Sequence, residues 1–276
     1  AVLLNYKGEN ILFDCGEGTQ RQLKIAGIKP TKITKILISH WHGDHCLGLP
    51  GLIQTLDKEG YSKTLEIYGP VGTKKRIKSL LGVFDSAKTI EIKIMDIKKR
   101  KFFENKDFLL EALPLKHGVR NLGYCFTEKD RRRINLNYVK KLGLSKGPLL
   151  GKLQQGKAVK LNGKTVSLDK STYIVKGQKI SYVTDTRPCR NALVIAEGSD
   201  LLIAEGCYLH ELYERAKEVM HMTAREAALL AKQSSSKKLI LTHFSQRYKK
   251  TDVLEKDAKK VFKNTLAAKD FMKVKV

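Results

Sequence analysis

Three of the chain's seven histidines crowd into one stretch, His40-Trp41-His42-Gly43-Asp44-His45, directly behind the β-branched run Ile33–Ser39. Imidazole nitrogens and a carboxylate in the order H-x-H-x-D-H are good ligands for zinc and similar divalent ions. His40 and His42, two apart at a strand end, can point to one side. A bend at Gly43 can turn Asp44 and His45 toward a neighbouring position. That arrangement suits two metals rather than one, and two ions about 3.5–4 Å apart are a hydrolytic device for phosphoesters and amides. A chance His-rich surface loop accounts for neither the apolar strand in front nor the aspartate at a fixed offset.

Further ligands are expected where α/β folds gather their sites, at the carboxyl ends of strands. His117 follows Phe108–Leu115, Asp185 follows Ile180–Thr184, and His243 follows Leu239–Thr242. Each is the first metal-competent side chain after an apolar run. Singly, each reads as a structural polar residue. Jointly the four strand ends supply enough ligands for two sites if one carboxylate bridges.

The elements that must position these groups are legible in outline. Val2–Tyr6 and Ile11–Asp14 flank a polar turn and read as a hairpin. Thr19–Ala26, stopped by Gly27, reads as a helix, as do Leu47–Leu56 and Thr73–Phe84. Leu65–Tyr68, Ile90–Ile97 and Phe108–Leu113 read as strands. Lys179–Thr184, Leu201–Ala204 and Leu239–Thr242 are short apolar runs that suit buried strands. Leu209–Val219 and Ala224–Lys232 suit helices, the second opened by the capping-box pattern Thr223-Ala224-Arg225-Glu226. No fixed-period repeat is present. The pattern predicts an α/β protein with mixed sheets.

Composition narrows the partners. The 276 residues allow one large domain or two small ones. No apolar run approaches the 18 or so residues of a membrane span, and no signal peptide is visible. Five cysteines, odd in number and without a CxxC pair, argue against a disulfide framework and suit a reducing cytoplasm. Lys and Arg outnumber Asp and Glu by 53 to 28, a formal +25, which favours a polyanionic partner such as nucleic acid. A heat-adapted surface would be enriched in Glu as well as Lys. Within Lys129–Lys164 there are eleven basic residues and one acid, Asp130, giving 11 − 1 = +10. Apolar residues there look too sparse for a core element and glycines break long helices, so the stretch reads as a projecting basic insertion. A solvated, disordered loop is its bland alternative.

His40–His45 followed by isolated His117, Asp185 and His243 resembles the five-motif pattern of the metallo-β-lactamase superfamily over nearly the whole chain. That resemblance implies an αββα sandwich with a protruding basic arm. It implies one zinc on His40, His42, His117 and Asp185. A second would lie on Asp44, His45, Asp185 and His243, with Asp185 bridging. Manganese or ferrous iron would be substitutes. The motif alone does not fix a substrate. More local features resemble the tRNase Z family. Gly147-Pro148-Leu149-Leu150-Gly151-Lys152 looks like the Gly-Pro motif of its flexible arm. Thr184-Asp185-Thr186-Arg187-Pro188-Cys189 resembles its Asp motif, His221-Met222-Thr223 its His-x-Thr motif, and Thr242-His243-Phe244-Ser245-Gln246-Arg247-Tyr248 its last motif.

The family resemblance implies a single catalytic domain over 1–276 with residues 130–172 inserted as a tRNA-gripping arm. A strand and Gly-rich loop that the family carries ahead of the hairpin are lacking here. It implies a metal-dependent endoribonuclease that removes the 3′ trailer of precursor tRNA and leaves a 3′-hydroxyl. Asp44 is the expected general base and His221 the acid for the leaving oxygen, with Glu205 orienting His221. Ser245, Arg247 and Arg187 are candidates to hold phosphate, with Gly147, Pro148 and Lys152 on the arm. A homodimer in the cytoplasm is expected, without a membrane. The competing reading is a hydrolase of a small phosphodiester or thioester on the same fold, which leaves the basic stretch unexplained.

Overall fold

The computed structural model describes residues 1–84, 90–144, 146–161 and 163–276; Ser145 and Asn162, inside the basic stretch, lie outside them. Strands β1 (Val2–Tyr6), β2 (Glu9–Phe13), β3 (Lys35–Leu37), β4 (Leu65–Gly69) and β5 (Ile92–Asp96) form one sheet in that spatial order. β1 and β2 are an antiparallel hairpin. It closes through Lys7 and Gly8, at φ 46° and 85°, the left-handed pair a two-residue hairpin loop requires. From β2 to β5 every pairing is parallel, so each connection must cross over. The helices Thr19–Ile25, Leu49–Lys58 and Thr73–Leu81 make those crossings.

The second sheet begins with β6 (Lys101–Glu104), β7 (Phe108–Leu115) and β8 (Asn121–Glu128). The chain then forms β9 (Arg131–Ile134), β10 (Val159–Leu161), β11 (Lys164–Val166) and β12 (Thr172–Val175). It returns with β13 (Lys179–Val183), β14 (Leu201–Glu205), β15 (Leu239–Thr242) and β16 (Thr265–Ala267). Seven of these strands pair in the order β16-β15-β14-β13-β8-β7-β6. β13 to β16 are mutually parallel, which places the carboxyl ends of β13, β14 and β15 at one edge.

Each sheet buries one face against helices and the other against its partner. Ile36, Ile38, Leu52, Leu56, Leu65 and Ile67, all fully buried, pack the first sheet on its helices. Val183, Leu202, Leu241, Ala227, Ala231 and Leu254 do the same for the second, with the helices Arg190–Ala196, Ala224–Gln233 and Asp252–Lys259. At roughly 1.5–3 kcal/mol per large side chain, these two cores dominate the stabilisation. Between the sheets the packing is aromatic. Phe13 meets Tyr182 and Tyr124 at centroid separations of 5.3 and 6.1 Å. Both buried tyrosine hydroxyls are satisfied, Tyr124 donating to the Ile38 carbonyl at 2.6 Å and Tyr182 to Asp14 at 3.0 Å. Helix, sheet, sheet, helix is the metallo-β-lactamase layering.

Several boundaries differ from the sequence reading. The strand expected over Ile33–Ser39 pairs only at Lys35–Leu37, because Ile33 closes the short 3-10 turn Pro30–Lys32. The helix expected over Leu209–Val219 splits into a 3-10 turn, His210–Leu212, and an α-helix, Tyr213–Glu218. β6, β8, the helices Arg190–Ala196 and Asp252–Lys259, and β16 were not anticipated.

Residues 105–109 and 127–178 form a compact unit of their own, separate from 1–104, 110–126 and 179–276. Contrary to the sequence expectation, the apolar residues of this stretch suffice for a small core. Val139, Leu144, Leu153, Val159 and Val166 are buried together, with Ile134, Tyr138, Leu149 and Leu168 against them. β9 pairs antiparallel with β12, and β10 with β11. Gly147, at φ 123°, ψ 179°, precedes Pro148 at the first turn of the helix Pro148–Gln154. That backbone region is essentially reserved for glycine, and Pro at a helix start costs no hydrogen bond. Among the described residues no helix is long and apolar enough to cross a membrane.

Candidate metal centre

The polypeptide leaves β3 at Leu37 and runs extended through His42, which caps the single-turn helix Gly43–Cys46. This turn is what separates His40 and His42 from Asp44 and His45. It is clamped against the loop that follows β2. Cys15 N donates to the His45 carbonyl at 2.8 Å and Gly48 N to the Cys15 carbonyl at 2.9 Å. The approach is so close that a Cβ on Gly16 would lie 2.1 Å from the Asp44 carbonyl oxygen. His117 comes from the turn after β7, Asp185 from the end of β13 and His243 from the end of β15. Asp14, Asp185 and His243 all carry positive φ, 58°, 49° and 56°. Left-handed backbone is unfavourable for a side-chain-bearing residue, and its recurrence at three strand ends marks a site whose geometry the surrounding packing imposes.

Two groups of four donors result, sharing Asp185: His40, His42, His117 and Asp185, and Asp44, His45, Asp185 and His243. In the second group His45 Nε2 lies 3.3 Å from His243 Nε2, 3.2 Å from Asp44 Oδ2 and 3.5 Å from Asp185 Oδ1. His243 Nε2 lies 3.4 Å from Asp44 Oδ2 and 3.3 Å from Asp185 Oδ1. Zinc–nitrogen and zinc–oxygen bonds of about 2.1 Å, arranged tetrahedrally, give ligand–ligand edges of about 3.4 Å. The five separations bracket that value, so the donor set fits a small divalent cation. In the first group His42 Nδ1 is 3.0 Å from His40 Nε2 and 3.3 Å from His117 Nε2, and His40 Nε2 is 3.6 Å from Asp185 Oδ2.

Electrostatics favour positive charge in the second group. Burial lowers the His45 pKa, but hydrogen bonds to Asp14, Asp185 and Asp44 more than reverse this and carry it to about 12. Hydrogen bonds from His243 and His45 hold Asp44 well below the ordinary carboxylate range. Burial raises Asp185, yet the surrounding imidazoles bring it below its usual value. His40, by contrast, is pushed down to about 3 by burial and is a neutral donor. Carboxylates that draw positive charge into the second group, beside a neutral His40 in the first, suit a divalent ion that would take the place of the protons on His45 and His243.

The outer partners of these ligands are ordered. Nδ1–H of His45 donates to Asp14 Oδ2 at 2.8 Å, and Asp14 also accepts from Ser39 N at 2.7 Å and Ser39 Oγ at 2.8 Å. Sequence reasoning missed Asp14, although it is the first acid after an apolar run, as Asp185 nearly is. His117 donates from Nδ1 to the carbonyl of Met220 at 3.2 Å, which leaves Nε2 for the cation. Both arrangements fix the tautomer of a ligating imidazole.

His221 stands beside this cluster, its Nδ1 4.0 Å from Asp185 Oδ2 and its ring stacked at 5.2 Å on that of His243. Its Nδ1–H donates at 3.0 Å to Oε2 of the fully buried Glu205. Burial lowers the His221 pKa, and the Glu205 carboxylate with Asp185 behind it more than offsets this, so the net shift is upward. Burial raises Glu205 itself.

The groups expected to hold phosphate divide. Arg247 is exposed after β15, with Nε 3.2 Å from Ser245 Oγ and its guanidinium 5.0 Å above the Tyr208 ring. Lys152 is exposed on the helix Pro148–Gln154. Arg187 has a different position from the one expected. It is 8% exposed, pairs both guanidinium nitrogens with Glu226, one at 3.0 Å, and donates to the carbonyl of His221. Its fork is occupied by protein groups, so Arg187 positions the His221 turn and is not open to phosphate.

The family model for the metallo-beta-lactamase superfamily matches residues 1–117. A ribonuclease Z of Methanothermobacter thermautotrophicus is 40% identical over 277 residues, covering 100% of this chain and 90% of the relative. That of Pyrococcus horikoshii is 38% identical over 278 residues, with 100% and 90% covered. The crystal structure of human tRNase Z, short form, aligns with a TM-score of 0.70 at 28% identity, covering 98% of this chain and 89% of that one.

Proposed function

Since the chain belongs to the ribonuclease Z family, within the metallo-β-lactamase superfamily, we propose that it is an endoribonuclease that removes the 3′ trailer of precursor tRNA and leaves a 3′-hydroxyl. The observation that carries this is the pair of four-donor groups sharing Asp185, with the Glu205–His221 pair alongside. His40, His42, His117 and Asp185 would hold one zinc, and Asp44, His45, Asp185 and His243 the other, with manganese or ferrous iron as substitutes. When bound, such ions supply Lewis acidity toward phosphoryl oxygens and acidify water to near neutrality.

The chain's own groups do the rest. Asp44, with 65% of its side chain exposed, faces the solvent side of the site and is placed to take the proton of the attacking water. His221, held by Glu205 in one tautomer, gives its Nε2 proton to the O3′ that departs. Ser245 and Arg247 contact phosphate beside the last ligand. Gly147, Pro148 and Lys152 belong to the arm, residues 130–172, which grips RNA through its phosphates and carries affinity without sequence preference. The same reading includes a homodimer acting in the cytoplasm.

The test is cleavage of a 3′-extended precursor tRNA by zinc-loaded protein, with the product ends mapped. We expect a cut just after the acceptor stem, lost in Asp44→Ala and reduced about 10²–10⁴-fold in His221→Ala. Hydrolysis of small phosphodiesters with intact RNA would replace this reading by the small-substrate one.

A further inference from the structure

The carboxylate shared by the two donor groups stands on a strained backbone, and a side chain outside both groups holds that backbone. Asp185 takes φ 49°, in the left-handed region. Such a conformation relaxes unless the surroundings impose it. Asn121, the first residue of β8, donates from Nδ2 to the Thr184 carbonyl at 2.8 Å and to the Asp185 carbonyl at 2.7 Å. An amide NH2 carries two hydrogens, and both are spent on this one turn. Asn121 is 2% exposed, and its Oδ1 is buried with no hydrogen-bond partner among the described residues. The amide is therefore held by its donor end, since turning it over would set Oδ1 against two carbonyl oxygens.

The next residue completes the tie. Leu122 N donates at 3.0 Å to the carbonyl of Ser39, directly before His40. The start of β8 thus fastens the His40 strand end of the first sheet and the Asp185 turn of the second. Across that span His40 Nε2 lies 3.6 Å from Asp185 Oδ2. Asp185 Oδ1 faces the other group, 3.5 Å from His45 Nε2 and 3.3 Å from His243 Nε2. We propose that Asn121 is a positioning residue of the metal centre, whose amide fixes the Asp185 turn and so sets the affinity of both ions together. Asp14 behind His45 and the Met220 carbonyl behind His117 each support a ligand of one group, whereas Asn121 supports the member common to both. A carboxylate swung out of place costs each group a ligand. The inference rests on the two-ion reading of the site and not on which RNA is cut.

The test is uptake of cobalt(II) by the whole chain, stripped of metal and titrated in competition with a chelator, with the thermal midpoint of the metal-free protein measured alongside. We expect Asn121→Ala to weaken both equivalents about 10–100-fold. Asn121→Ser keeps one donor and should fall between alanine and the parent; it also carries the comparison if the alanine chain does not fold. Leu254→Ala, which hollows the fully buried core of the second sheet, should lower the midpoint and leave both affinities as they were. Unchanged uptake in the Asn121 variants, weakening of one equivalent alone, or equal weakening in Leu254→Ala overturns the role of Asn121. A parent chain that takes up fewer than two equivalents overturns the two-ion reading, and the inference with it.

Discussion

His221 can act as an acid only while its ring is charged at the working pH, and its neighbours oppose each other on that point. Burial removes charge and Glu205 restores it, with the carboxylate prevailing. The sign of a prediction follows. A raised pKa keeps the imidazolium up to a higher pH, and the rate falls as pH rises through that value. In Glu205→Gln the larger part of the restoring charge is gone, and Asp185 alone opposes burial. The alkaline limb of the kcat–pH profile should therefore move to lower pH, and an unmoved limb would remove Glu205 from this role. The candidate donors are legible in the sequence, because His40, His117, Asp185 and His243 are each the first metal-competent side chain beyond an apolar run, with His42, Asp44 and His45 close behind His40. Asp14 obeys nearly the same rule, but Ile11–Asp14 also completes a hairpin, and that structural reading hides the functional one. Arg187 misled for another reason. Its partner Glu226 is 39 residues away, and no local pattern reveals a buried pairing at that distance.

Arg187 also shows how elements hold the site together. Glu226 is the third residue of the helix Ala224–Gln233 and closes its capping box with Thr223, while Arg187 lies just past β13. One ion pair thus joins the Asp185 loop, the His221 turn and a helix start. Its side chains are 9% and 11% exposed, so Arg187→Ala would strand a buried carboxylate, at a cost of about 3–5 kcal/mol. The double variant Arg187→Met, Glu226→Gln removes both charges and should recover most of that loss in urea unfolding. Equal losses in the single and double variants would show that the pairing is not what matters. The capping box itself was legible, since Thr and Glu three apart before an apolar stripe is a local signal. β8 was not, because Gly123 breaks its apolar run and Asn121, Thr127 and Glu128 bound it with polar residues, although nearly every position is buried. Nor was Asp252–Lys259, whose buried stripe is only Leu254, Asp257 and Ala258.

For the molecule as a whole the net charge of +25 is the property most exposed to measurement. A protein making 6–10 phosphate contacts loses about 10³–10⁵ in affinity between about 50 and 200 mM salt. We expect tRNA binding to fall in that range, and salt-insensitive binding would refute a phosphate-led grip. The antiparallel partners Ile134 and Thr172 allow residues 135–171 to be replaced by Asn-Gly, closing β9 onto β12 as a hairpin. This variant should keep hydrolysis of a small chromogenic phosphodiester and lose tRNA processing; joint loss would deny the unit a separate role. The sequence showed the charge of this unit but hid its core, because five buried residues spread over 28 positions, Val139 to Val166, make no periodic stripe.

The donors of the metal centre span His40 to His243 and converge only at the ends of strands paired across two sheets. Such a pocket cannot exist in a half-organised chain, since contacts of this sequence separation are the last and slowest to close. A cation therefore recognises the finished fold and has nothing to template on the way to it. Zinc should slow unfolding and raise the thermal midpoint while leaving the refolding rate where it was, which stopped-flow traces with and without chelator would resolve. In that outcome the metal is a latch on durability, and the chain finds its topology without it.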